Sequence, residues 1–316
     1  MRRAFLFSAW AALGAPWRAL AQETGPPDPH RPVFGSDLEL VNVTIVVRDD
    51  KGRLVQDLAS EDFTVFEDGR PQKALVFGSP AALGGEQPLE DDNFDVNLGL
   101  LLDTSESMLK ELRLSQMAAT RFLENIPRAR DLITIFFDQD IRISRYNSEN
   151  QQGLVQRIME SKGSGNTALY DAIAVYASRV ADTPGRKILV LLTDGEDTTS
   201  AISFAQLVNV VKASPVTIYP VAFTGGFSMG SSRAMSSRSV LTQLAEISGG
   251  TVFVPTASRD LAGVYSSILD ELKAQYVLGY LSDNPRADGK FRRLRVTVRR
   301  NALRVRHRQG YVVPKR

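Results

Sequence analysis

The 316-residue chain carries 38 Lys and Arg against 36 Asp and Glu, has ordinary apolar and aromatic content, and contains no cysteine. That length predicts roughly two domains. The near balance of charge argues against a nucleic-acid partner, and the absence of cysteine excludes disulfides, thiolate metal sites and a cysteine nucleophile.

Met1 to Ala21 reads as an export signal: Arg2 and Arg3, the apolar run Ala4 to Ala15, then small residues at Ala19 and Ala21. Gly14, Pro16 and Arg18 break the run short of the ~20 residues that span a bilayer, so no transmembrane segment is expected after cleavage. The start also resembles a twin-arginine signal with a short n-region. Cleavage removes Arg2, Arg3 and Arg18 and no acid, so the formal charge falls by three, from +2 to −1. An exported chain without cysteine points to a bacterial envelope, with a periplasmic or secreted, surface-associated destination.

Residues 22–36 hold Pro26, Pro27, Pro29 and Pro32 and read as a linker. In residues 37–80, Val41, Val43, Ile45 and Val47 alternate, Asp49 to Gly52 forms a turn, and DFTVFEDGRPQ (Asp62 to Gln72) gives a strand and an Asp-Gly turn. Ser79 to Asp92 is a second loose segment. From residue 94 to 273, strands and helices alternate. Apolar runs of strand length occur at Val96 to Leu102, Leu132 to Phe137, Ile188 to Leu192, Val216 to Phe223 and Thr251 to Val254. Between them, Met108, Leu112, Ala119, Phe122 and Ile126 share one helical face, as do Leu169, Ile173, Tyr176, Ala177 and Val180. Two more faces are Phe204, Leu207, Val208, Val211 and Leu261, Val264, Tyr265, Ile268, Leu272. Near-continuous apolar strands covered by helices predict an α/β domain with a doubly wound, mostly parallel sheet. Residues 275–316 return to period-two strands. Too few to make a core alone, they are expected to pair with residues 37–80 in an accessory β-sandwich.

Asp103 follows the first apolar strand of the α/β domain and begins DTSESM, with Ser105 and Ser107 at alternating positions. Asp194 in LLTDGED follows another strand, and Thr167 in GSGNTALYDAI precedes a helix. All three stretches belong to the edge of an open sheet where ligands bind. Paired carboxylates with hydroxyls suit a hard divalent cation, Mg²⁺ or else Mn²⁺ or Ca²⁺.

Asp103-x-Ser105-x-Ser107, Thr167 and Asp194, in that order, resemble the metal-ion-dependent adhesion site of von Willebrand factor type A domains. The resemblance implies a Rossmann-like fold, contacts from all five residues to the metal directly or through water, and a partner protein whose carboxylate completes the shell. DFTVFEDGRPQ and the ending RQGYVVP further resemble exported bacterial "VWFA-related" proteins of the acidobacterial type. The implied function is divalent-cation-dependent protein interaction or adhesion, without catalysis.

The enzymatic rival is a metal-assisted phosphatase with Asp103 as nucleophile. Against it, Ser105 stands where the general-acid carboxylate would be. His30 in the linker and His307 near the end are poorly placed for a Ser-His-Asp hydrolase. A third alternative is an envelope structural protein that uses the fold without metal. Glu106, Glu196 and Asp197 read as solvated loop acids. Arg293, Arg295, Arg299, Arg304, Arg306 and Arg308 read as the solvent side of a sheet, and Gly225 to Arg238 as a long loop on the metal edge.

Overall fold

The computed structural model of the protein describes residues 40–80, 94–125, 129–146, 151–223, 232–255, 260–284 and 286–315. The export signal Met1 to Ala21, the linker 22–36, Ile126 and most of the second loose segment lie outside the described residues.

A five-stranded sheet forms the centre of the α/β domain. Its strands are β5 (Phe94–Asp103), β6 (Ala129–Phe137), β7 (Ile141–Tyr146), β8 (Arg186–Thr193) and β9 (Val216–Ala222), in the order β7-β6-β5-β8-β9. β5, β6, β8 and β9 run parallel, with Leu98 opposite both Leu132 and Ile188, while β7 lies antiparallel on β6. Successive side chains of β5 feed opposite cores, as strand geometry requires. Leu98, Leu100 and Leu102 pack with Phe122 of α1 (Leu112–Asn125), Ile158 of α2 (Gln151–Glu160) and Ile268 of α6 (Asp260–Lys273). Leu101 packs on the other face with Ile173 of α3 (Leu169–Arg179), Leu207 of α4 (Phe204–Ala213) and Leu241 of α5 (Ser232–Ser248). Helices thus cover both faces, as the apolar runs predict. Gly99 has a specific role: a Cβ there would run into the ring of Tyr176, whose hydroxyl crosses β5 to donate to the carbonyls of Asn97 at 3.1 Å and Ile188 at 2.8 Å.

The remaining strands make two four-stranded antiparallel sheets, each mixing strands from before and after the α/β domain. One has the order β12-β1-β10-β4, with β1 Leu40–Arg48, β4 Ala74–Gly78, β10 Tyr276–Leu281 and β12 Arg304–His307. The other is β13-β11-β2-β3, with β2 Phe63–Glu67, β3 Arg70–Gln72, β11 Phe291–Val298 and β13 Gly310–Val312. Val43 faces Leu278 in the first, Val65 faces Val296 in the second, and all four share one apolar core. The Asp68-Gly69 turn joins β2 to β3 with φ of 47° and 84°, the left-handed pair that a two-residue hairpin demands.

Three expectations need correction, and two elements have no expectation at all. Thr251 to Val254 adds no strand; Phe253 makes one bridge to Val221, through bonds to Pro220 and Ala222, before the run ends at Pro255. Ser232 to Arg238 belongs to the start of α5, not to a loop, while residues 224–231 lie outside the described residues. β7 and α2 have no counterpart in the apolar runs because β7 is a half-buried edge strand and α2 buries only Leu154 and Ile158. Finally, Arg306 does not face open solvent; it pairs with Glu271 of α6.

Candidate metal centre

β5 ends at Asp103, whose carboxylate organises the loop that follows. The Ser105 backbone N–H and hydroxyl both donate to Asp103 Oδ1, at 3.0 and 2.6 Å, and the hydroxyls of Ser105 and Ser107 lie 3.0 Å apart. A 3-10 turn over Glu106–Met108 carries Ser107, and burial of Met108 in the core anchors it. Asp103 and Ser105 are fully buried and Ser107 is exposed, so the chain of oxygens runs from the sheet to the surface.

The other oxygen of Asp103 accepts from Thr193 Oγ1 at 2.6 Å. Sequence reasoning passes over Thr193, although it ends β8 directly before Asp194 and therefore shares the sheet edge. Thr193 Oγ1 accepts in turn from the Gly195 N–H at 3.0 Å, and Asp194 Oδ1 accepts from the Glu196 N–H at 3.0 Å. Gly195 allows this turn with φ of 82°, a left-handed conformation that other residues adopt at a cost.

Thr167 is buried and stitched to both loops through the backbone. Its N–H donates to Thr198 Oγ1 at 2.9 Å, and its carbonyl accepts from the N–H groups of Thr198 and Thr199 at 2.9 and 3.1 Å. On the other side, Ser164 N–H donates to the Thr104 carbonyl at 2.9 Å and Glu106 N–H to the Gly165 carbonyl at 3.0 Å. Asp197 is not a free loop acid. It accepts from the Tyr170 N–H at 3.1 Å and from the Ser200 hydroxyl, capping the first turn of α3.

Asp103, Ser105 and Ser107 therefore form one hydrogen-bonded chain, and Thr167 joins the same edge through its backbone. Burial first, and then the negative charge of Asp194, push the Asp103 carboxyl up to about 7, against the lowering effect of its Ser105 and Thr193 donors. A carboxylate withdrawn from water and facing a second one is a poor arrangement unless positive charge joins them. The donor set of two carboxylates and neutral hydroxyls fits a hard divalent cation that prefers oxygen. Among the described residues no three His, Cys, Asp or Glu side chains converge, at this edge or at any other place, so a cation here would depend on the hydroxyls as well as the two carboxylates.

A mostly parallel sheet, helices on both faces and oxygen donors gathered beyond the carboxyl ends of β5 and β8 define an α/β domain whose binding edge is the carboxyl edge. The family model for the von Willebrand factor type A domain matches residues 97–267, and the chain belongs to that family. Solved structures show similarity at low sequence identity. A von Willebrand factor type A protein from Catenulispora acidiphila is 12% identical, with 88% of this chain and 75% of that one covered and a TM-score of 0.47. A mutant of the PilB minor pilin from Streptococcus sanguinis is 14% identical over 60% of this chain, with a TM-score of 0.48; the match spans 63% of the pilin's own length. The vWF domain of a type V pili tip protein from Porphyromonas gingivalis is 11% identical, covering 56% of this chain and 94% of that one, with a TM-score of 0.46. Curated protein sequences give no match. No described helix is long and apolar enough to cross a membrane.

Proposed function

We propose that the protein is an exported bacterial binding module that captures another protein through a divalent cation, without catalysis. Asp103, Ser105, Ser107, Thr167 and Asp194 would hold Mg²⁺, with Mn²⁺ or Ca²⁺ able to take its place. When bound, the ion supplies a coordination position for an acidic oxygen of the partner. The single observation that carries this reading is the buried Asp103 carboxylate, hydrogen-bonded to Ser105 and raised by both burial and Asp194, from which a line of hydroxyls leads to exposed Ser107. An outside carboxylate would approach at exposed Ser107, and buried Asp103 would hold the ion from within.

The arginine-bearing N-terminus supports export to the periplasm or cell surface, and DFTVFEDGRPQ with RQGYVVP supports kinship with the acidobacterial-type proteins. Calorimetric titration of the purified protein with Mg²⁺ and Mn²⁺ tests the reading. Wild type is expected to bind one ion, Asp103→Ala and Asp194→Ala none, and partner capture from envelope extract should cease in excess chelator. Capture that persists unchanged in chelator, or metal-dependent phosphatase activity abolished by Asp103→Ala, overturns it.

A further inference from the structure

Thr104, between Asp103 and Ser105, is held from outside the motif. Its N–H donates to the Phe137 carbonyl at 2.7 Å, and its hydroxyl donates to the same carbonyl at 3.1 Å. That hydroxyl also accepts from Arg142 Nη2 at 3.0 Å. Arg142 stands on β7, opposite Phe136, and reaches back over the β6–β7 turn to the carboxylate of Asp138: Nη2 to Oδ2 at 2.7 Å and Nη1 to Oδ1 at 3.1 Å. Asp138 is itself buried, and its backbone carbonyl accepts from the Ala168 N–H at 2.8 Å, beside Thr167. One guanidinium thus ties together the loop after β5, the end of β6 and, through the Asp138 backbone, the loop of Thr167.

We propose that Arg142 is the positioning residue of the metal centre: by bonding Thr104 and Asp138 at once, it fixes the loops that carry Asp103, Ser105, Ser107 and Thr167. This rests on the metal-binding reading above. Hydroxyls are weak ligands, so affinity depends on holding them in place before the ion arrives, and groups one step behind the ligands typically govern affinity by about 10- to 100-fold. Arg142 is suited to this because its planar fork presents several donors in fixed directions, whereas a lysine ammonium is a single point. It also contributes to folding, because without it the buried Asp138 carboxylate loses its cation. The Arg142 side chain is 41% exposed while that of Asp138 is 6% exposed, so water reduces this cost without removing it.

The test is Mn²⁺ affinity by calorimetry, with thermal melting in chelator as the control for folding. Arg142→Ala is expected to melt below wild type but remain folded, and to bind Mn²⁺ about tenfold more weakly, with Arg142→Lys in between. Thr104→Val, which keeps the Arg142–Asp138 pair, should weaken binding similarly, and Arg142→Ala in that background should add little. Should Arg142→Ala fail to fold, Thr104→Val carries the test alone, and wild-type affinity there overturns the proposal. Unchanged affinity in folded Arg142→Ala, or an effect undiminished in the Thr104→Val background, also overturns it while leaving the metal reading standing. Wild type that binds no Mn²⁺ overturns both.

Discussion

Asp103 and Glu271 are both carboxylates withdrawn from water, and the protein treats them in opposite ways. Glu271, on α6, is 1% exposed and sits between two guanidinium groups: Arg48 Nη2 at 2.6 Å from β1, and Arg306 from β12. Arg186, the first residue of β8, donates to the Leu272 carbonyl at 3.2 Å, which places this end of α6 at the edge of the sheet opposite Asp103. Asp103 has hydroxyl donors and a second carboxylate, and among the described residues no lysine or arginine side chain bonds to it. A buried acid with matched charge fastens two parts of a molecule. A buried acid left with another acid is the arrangement that the proposed cation would relieve.

The largest expected effect is the response of stability to pH that Asp103 brings. Without metal, the folded Asp103 carboxyl lies at about 7, above its ordinary value of 3.8. Between these values the native state holds more protons than the unfolded one, so stability falls as pH rises through the window and levels off above 7. At about 1.4 kcal/mol per unit, the loss is on the order of 4 kcal/mol. Urea unfolding in chelator should show this slope in wild type and not in Asp103→Asn, and saturating Mg²⁺ should flatten it in wild type. A wild-type curve in chelator that matches Asp103→Asn across the window would overturn the raised Asp103 carboxyl.

Glu271→Ala sharpens the same contrast from the other side. It leaves Arg48 and Arg306 without their shared partner, and should cost about 3 kcal/mol, the lower end for a broken buried pair, because both arginines keep partial access to water. Urea unfolding measures the loss, and Mg²⁺ titration should return the wild-type affinity. Reduced affinity would mean that the two edges of the sheet are coupled.

The fold was legible where burial made sequence simple. Four parallel strands announce themselves as apolar runs, and Asp103 and Asp194 as acids immediately after two of them. The sandwich was legible because each flanking piece had too few strands to stand alone. Arg142 was not legible, because nothing in the sequence links it to a threonine 38 positions away; the only available signal was the alternation in IRISRY after a turn of Asp138 to Asp140. Arg306 misled for a related reason. Period two correctly places it on the face opposite the sandwich core, but part of that face is covered by α6, and only the tertiary structure brings Glu271 there.

The smallest effect belongs to the sandwich and has the opposite sign to that of Asp103. His307 Nε2 accepts from the Val296 N–H at 3.0 Å, so that nitrogen carries no proton, and Nδ1 donates to the Arg308 carbonyl at 2.6 Å. Burial, and then the charge of Arg308, hold the imidazole below its ordinary pKa of 6.5. Protonation would point an N–H at the N–H of buried Val296. Above 6.5 both folded and unfolded states are neutral and the full stability is present. Below it the unfolded chain takes up the proton first, so stability falls with falling pH by about 1 kcal/mol, the worth of one lost backbone bond. His307→Gln, which keeps a carbonyl acceptor, should be flat over that range. The protection factor of the Val296 amide, in which the intrinsic slowing of exchange toward acid is divided out, separates this change from the rise that Asp103 contributes over the same interval, since from pH 7 to pH 5 it should fall in wild type and in Asp103→Asn alike.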